Sequence, residues 1–133
     1  MASAFGTAGK KALLDAVVAH TWKAALYTSA ATLDATTPAY TATNEVSGGG
    51  YTAGGNTLSG AVTASGSGAA WLDFNDTTWA SATFTARYMM IYDASDSNRC
   101  YAIIDFGSDK TGQGGNFTAV FPTPGAATAV IVL

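Results

Sequence analysis

The sequence predicts a mainly β protein, a single β-sandwich or jelly-roll-like domain with one short N-terminal helix. Three observations carry this reading. Apolar and polar residues alternate with period two in short runs from Thr21 onward. Turns rich in Gly, Ser, Asn and Asp separate those runs. Helical spacing occurs once, where Leu13, Leu14, Val17 and Val18 recur on one side of a wheel and Lys10, Lys11 and Asp15 lie elsewhere. One helix followed by about eight short strands is the pattern of a sandwich or jelly roll.

The elements follow in order. Residues 1–7 are small and polar and read as a flexible arm. Residues 8–133 then form the single domain. The helix is expected from Ala8 to about His20, with Thr7 as its cap. Thr21–Thr28 reads as a half-buried strand, with Trp22, Ala24 and Leu26 on one face and Lys23, Ala25 and Tyr27 on the other. Ser29 to Asn44 is a long Thr- and Ala-rich loop carrying Pro38 and Tyr40. Loops of this length usually bind something, so it is a contact surface or a solvated connector, and both readings fit equally.

Glu45-Val46-Ser47-Gly48-Gly49-Gly50-Tyr51-Thr52-Ala53-Gly54-Gly55 follows, and its glycines mark a bend or bulge at a sheet edge. Asn56–Ala64 alternates with Leu58 and Val62 on one face, and Ser65–Gly68 is a turn. Ala69–Asn75 is a strand, and Asn75-Asp76-Thr77 is turn chemistry. Thr78–Thr85 places Trp79 and Phe84 on opposite faces. Arg87–Asp93 is apolar on both faces and reads as a central strand. The polar loop Asp93–Asn98 links it to Arg99–Phe106 in the clearest hairpin of the chain. Gly107–Asn116 reads as a Gly-rich surface loop containing Lys110. Phe117–Phe121 is a strand, Pro122–Gly125 a turn, and Ala127–Leu133 a closing apolar strand.

Composition excludes several functions. Charged residues make up 11% of the chain, under half the usual globular share, and the net charge is −3. Lys10 and Lys11 are the only adjacent basic pair, so there is no basic stripe for a nucleic acid. No run is long and apolar enough to span a membrane. The N-terminus lacks the order of a signal peptide, and a reducing cytoplasm is the expected site of synthesis. The single cysteine, Cys100, precludes an internal disulfide and reads as a small buried hydrophobe. Low charge with many small residues suits a surface packed against something else.

No catalytic, cofactor or metal constellation emerges. Gly107-Ser108-Asp109-Lys110-Thr111-Gly112 has the Lys-Thr pair ahead of the glycine and a strand after it, which is not a phosphate loop. Counting from Asp93, Asn98 and Ile104 stand where a calcium loop needs Gly and Glu. Asp73 with Asp105 is the least poor pair for glycoside hydrolysis, but nothing in the spacing joins them. His20 has no identifiable triad partners. Asn75-Asp76-Thr77 and Asn116-Phe117-Thr118 match the glycosylation pattern but read as turns. The aromatics in strand patterns read as core. Tyr40 and Tyr51, which flank the long loop and the glycine bend, are the exceptions. Candidate partner contacts are therefore Tyr40, Glu45, Tyr51 and Lys110. Glu45 is the only Glu in the chain and reads as a loop anchor or an inter-subunit contact.

A family resemblance rests on Trp22-Lys23-Ala24-Ala25-Leu26-Tyr27-Thr28, Glu45-Val46-Ser47-Gly48-Gly49-Gly50-Tyr51, Ile104-Asp105-Phe106-Gly107-Ser108-Asp109-Lys110-Thr111 and Gly114-Gly115-Asn116-Phe117-Thr118. In this order, over most of residues 10–121, the sequence resembles small virion proteins of tailed bacteriophages, variously called head decoration or tail-fibre proteins. The resemblance implies a structural virion protein without catalytic residues, located in the virion and made in the host bacterial cytoplasm. The leading expectation is a capsid decoration or cement protein on the outer head shell. Its partners would be the major capsid protein, copies of itself in a symmetric assembly, or both. The alternatives are a tail or fibre component touching host glycans through Tyr40 and Tyr51, and a small cell-wall hydrolase.

Overall fold

The computed structural model describes residues 3–126 and 128–133. The described elements are α1 (Thr7–Asp15), β1 (Trp22–Tyr27), β2 (Asn56–Thr57), β3 (Val62–Gly66), β4 (Ala69–Asp73), β5 (Thr77–Trp79), β6 (Thr85–Asp93), β7 (Arg99–Thr111), β8 (Phe117–Ala119) and β9 (Ile131–Val132). The chain is mainly β with one short N-terminal helix, and its sheets are antiparallel, as the sequence predicts. Its residues fall into two compact units that the chain enters alternately. One holds the N-terminal stretch through His20, Ser59–Asn75 and the stretch from Val120. The other holds Thr21–Leu58 and Asp76–Ala119.

In the first unit, α1 lies against β3 and β4. Leu14 is its buried residue. The Lys10 ammonium donates to the Gly68 carbonyl at 2.8 Å, and the Thr63 hydroxyl donates to Asp15. The helix is shorter than expected. It ends at Asp15, and the β-branched Val17 and Val18 lie in turns, in keeping with their restricted χ1 in helices. Thr7 is the first helical residue rather than the cap. Gly6 holds that position, with no side-chain cap bond.

β3 and β4 form a two-residue hairpin closed at Gly66↔Ala69. Ser67 and Gly68 both have positive φ (50° and 77°), the handedness that matches the twist of the flanking strands. β9 pairs the other edge of β4, Leu72 opposite Ile131. The closing strand is thus confined to Ile131–Val132. Thr128 and Ala129 turn back onto the Gly125 carbonyl, and Ala127 lies outside the described residues. Ala70, Leu72 and Ile131 are buried, as are Phe74 and Phe121, whose ring centroids are 6.2 Å apart.

The expected strand Asn56–Ala64 divides between the two units. Leu58 is buried and its amide donates to the Trp22 carbonyl, whereas Val62 starts β3 and is exposed. They do not share a face, because the chain changes sheets between them.

The second unit is built on a four-stranded sheet in the order β2-β1-β6-β7. β6 is a central strand and pairs with β7 as the expected hairpin. β1 was expected to be half-buried, but every residue except Lys23 is buried. The long loop is the reason. Ala31, Leu33 and Tyr40 fold over the face carrying Ala25, Tyr27, Met90 and Tyr92. β7 also runs further than expected, through Lys110 to Thr111. A register shift opposite Arg87 absorbs Phe106–Asp109, and Lys110 then pairs with Ala86.

The expected strand Thr78–Thr85 is broken after Trp79, where β5 ends and pairs with β8. Trp79 and Phe84 therefore do not take opposite faces of one strand. Both pack on Phe117, at 6.1 and 5.1 Å between centroids.

Candidate functional site

The most organised polar cluster lies where the glycine stretch returns to β1. Glu45 forms an isolated bridge with Tyr27, and the Val46 amide donates to the Leu26 carbonyl at 2.9 Å. These bonds set Glu45 beside the end of β1. The chain then bends, with the Tyr51 amide on the Gly48 carbonyl and the Gly55 amide on the Thr52 carbonyl. The bend carries the Tyr51 ring between Trp79 (6.3 Å, stacked) and Phe84 (5.7 Å, edge-on). From the other side Tyr40 stacks on Tyr92 at 5.0 Å. Ring packing thus fixes both phenols, and both hydroxyls point at one carboxylate.

The Tyr40 hydroxyl donates to Glu45 Oε1 at 2.6 Å. The Tyr51 hydroxyl donates to Oε2 at 2.5 Å and accepts from the Leu26 amide at 3.0 Å. The Gly54 amide donates to Oε2 at 2.8 Å. Tyr92 donates to the Gly54 carbonyl and Tyr27 to the Thr41 carbonyl, each at 2.6 Å. Among the described residues no Lys, Arg or His pairs with Glu45. Its negative charge is stabilised by two phenols and an amide.

The phenols respond to this setting. Burial, followed by the hydrogen bond to Glu45, pushes Tyr40 and Tyr51 well above the ordinary phenol range. Burial does the same to Tyr27. Raised values favour the neutral form in the folded state. The stability they contribute is complete below pH ~10, where an unfolded Tyr titrates, and is lost as pH rises above it. In an ultraviolet titration, Tyr27, Tyr40 and Tyr51 should stay neutral through pH 10 and ionise together with unfolding. Independent ionisation of all six tyrosines near pH 10 in folded protein would contradict the network.

Chemically, this arrangement holds loops together. The carboxylate already receives three donors, and the phenols are far from forming phenolate nucleophiles at neutral pH. Elsewhere, Asp105 bonds Arg87 Nε at 2.7 Å and the Gly107 amide at 2.8 Å, and the Arg87 bond chiefly holds its carboxyl below the usual range. Burial pushes the Cys100 thiol up, in line with a packing role. Among the described residues no group of three or more His, Cys, Asp or Glu could hold a metal ion, and no helix is long and apolar enough to cross a membrane.

Three of the four sequence candidates, Tyr40, Glu45 and Tyr51, meet in this cluster. Lys110 does not join them. It is exposed on β7, and its side chain makes no hydrogen bond or ion pair among the described residues. Sequence reading missed Tyr27 and Tyr92 as parts of the cluster, and it placed Gly54 in the glycine stretch without giving it a bond to Glu45. The only signal for them was two tyrosines on strands that pair in the sheet.

No family model, curated protein or solved structure matches this chain.

Proposed function

We propose that this protein is a non-catalytic structural component of a tailed-phage particle, docking on the outside of the head shell as a decoration or cement protein. The observation that carries the reading is the fate of the Glu45–Tyr51 block, which is also one of the blocks that resembles phage virion proteins. Its acid and its tyrosine bond each other at the end of β1, and its glycines lie close against the Ala80–Phe84 segment. A block spent on loop architecture suits a scaffold that presents a fixed surface. The low charge and abundant small residues suit a subunit repeated over a particle and held by many neighbours, either the major capsid protein or further copies of itself.

The test is co-sedimentation of purified protein with empty heads of the phage whose genome encodes it. Saturable binding at a symmetric stoichiometry is expected, with the protein found in the head fraction of dissociated virions. Recovery in tail fractions alone would replace this reading with a tail or fibre role.

A further inference from the structure

Among the described strands, most sheet edges are defended against pairing with another chain. β2 and β9 are two residues long, and β5 and β8 are three. β7 is long, but it carries Arg99, Asp105 and Lys110, and its register against β6 shifts at two places. The Asp105 carboxylate also takes the Gly107 amide. Shortness, charge and bulges are the usual devices that blunt an edge. The edge of β3 has none of them. It reads Val62-Thr63-Ala64-Ser65-Gly66, with no charge and no proline, and its pairing with β4 runs without a shift.

Strand alternation shows which groups on that edge are free. The Leu133 amide donates to the Ala70 carbonyl, so Ala70 and Leu72 turn their main-chain groups to β9. Ala69, Trp71 and Asp73 turn theirs to β3, where their partners are Gly66, Ala64 and Val62. The amides and carbonyls of Thr63 and Ser65 therefore point away from β4, and no described residue bonds them. The side chains divide in the same way. Thr63 lies on the face where its hydroxyl meets Asp15 of α1. Val62, Ala64 and Gly66 lie on the opposite face with Trp71. There the Trp71 ring borders the bare Gly66, 3.6 Å from where a Cβ would stand, and Val62 is left 54% exposed.

We infer that β3 pairs antiparallel with β3 of a second copy of this chain, about a two-fold axis at Ala64. The alternation selects that register. It sets Thr63 of each copy opposite Ser65 of the other, so the free main-chain groups of both copies bond each other. A register one residue away would set them opposite groups already bonded to β4. The same register brings Val62 of each copy opposite Gly66 of the other, where the missing side chain leaves room for it beside the Trp71 ring. An uncharged strand brings no like charges together in this pairing. The assembly also closes, because the joined sheet ends at both sides in β9, which has two residues. This pairing needs only the chain itself and is independent of head docking.

Sedimentation velocity of the purified full chain should show a monomer–dimer equilibrium that moves toward dimer with concentration. Val62→Lys and Ser65→Lys should each raise the dissociation constant at least about tenfold, and Ser108→Lys on β7 should leave it unchanged. All three positions are exposed, so thermal midpoints at dilution should match wild type. The register has its own readout. In a Cys100→Ala background, Ala64→Cys should give a disulfide-linked dimer under mild oxidation, because residues facing each other in such a pair have Cα atoms about 4.5 Å apart. Ser108→Cys should not cross-link. A wild-type chain that is still monomeric at about 1 mM would overturn the inference. So would a dimer that Val62→Lys and Ser65→Lys leave intact, or one that Ala64→Cys does not cross-link.

Discussion

Gly55→Ala is expected to come close to unfolding the protein. A Cβ at this position would lie 1.8 Å from the Ala24 carbonyl oxygen and 2.5 Å from its carbon. Those are backbone atoms of β1, a strand paired on both sides, so no side chain can rotate away to make room. The φ of +81° adds the cost of a left-handed conformation, roughly 1–2 kcal/mol for a residue with a Cβ. Relief requires the Gly54–Thr57 segment to move off β1, which breaks the Lys23↔Thr57 and Ala24↔Asn56 pairs. The total loss should be about 4 kcal/mol, a large share of the roughly 5–15 kcal/mol that holds a domain.

Gly68→Ala is the matched control. Its φ is +77°, but nothing lies within 4 Å of the added carbon, so only the conformational cost of roughly 1–2 kcal/mol remains. Denaturant midpoints of the two variants separate close approach from handedness. Equal losses would show that the strand does not press on Gly55.

Removing the Glu45 carboxylate should have the next largest effect. In Glu45→Ala the Tyr40 hydroxyl, the Tyr51 hydroxyl and the Gly54 amide all lose their acceptor. Each orphaned buried donor costs about 1–3 kcal/mol, and water entering this half-buried site recovers part of that. A net loss of about 3 kcal/mol is expected. Glu45→Gln keeps an oxygen on one side and loses only the charge assistance, so about 1–2 kcal/mol is expected. Tyr51→Phe in the Ala background should cost less than in wild type, because its acceptor is already gone. Strict additivity in equilibrium unfolding would mean that these groups do not act together.

Much of the fold was legible because local signals agreed. The run Arg87–Asp93, apolar on both faces, turned out to be the central strand, and a turn-rich link made its hairpin with Arg99 plain. Errors arose where tertiary contacts overrode local pattern. Lys23 suggested an open face on β1, yet the loop that follows β1 folds back over that face. Gly107-Ser108-Asp109 read as a loop, yet a bulge carries them and the strand resumes. The candidate site was legible in part. A lone Glu between two tyrosines and five glycines marked the position. That their hydroxyls would turn inward depended on Trp79, Phe84 and Tyr92, whose approach is set by strand pairing rather than by sequence spacing.

The sheet order β2-β1-β6-β7 has a consequence for how the chain matures on the ribosome. β1 precedes β6 in the chain, so the pairing of Trp22 with Asp93 waits until Asp93 has been made. During that interval Trp22, Leu26 and Tyr27 have no β6 to pack against. β6 and β7, by contrast, emerge together and close a short loop quickly. Joining β1 to β6 therefore closes a long loop and costs more chain entropy than joining β6 to β7.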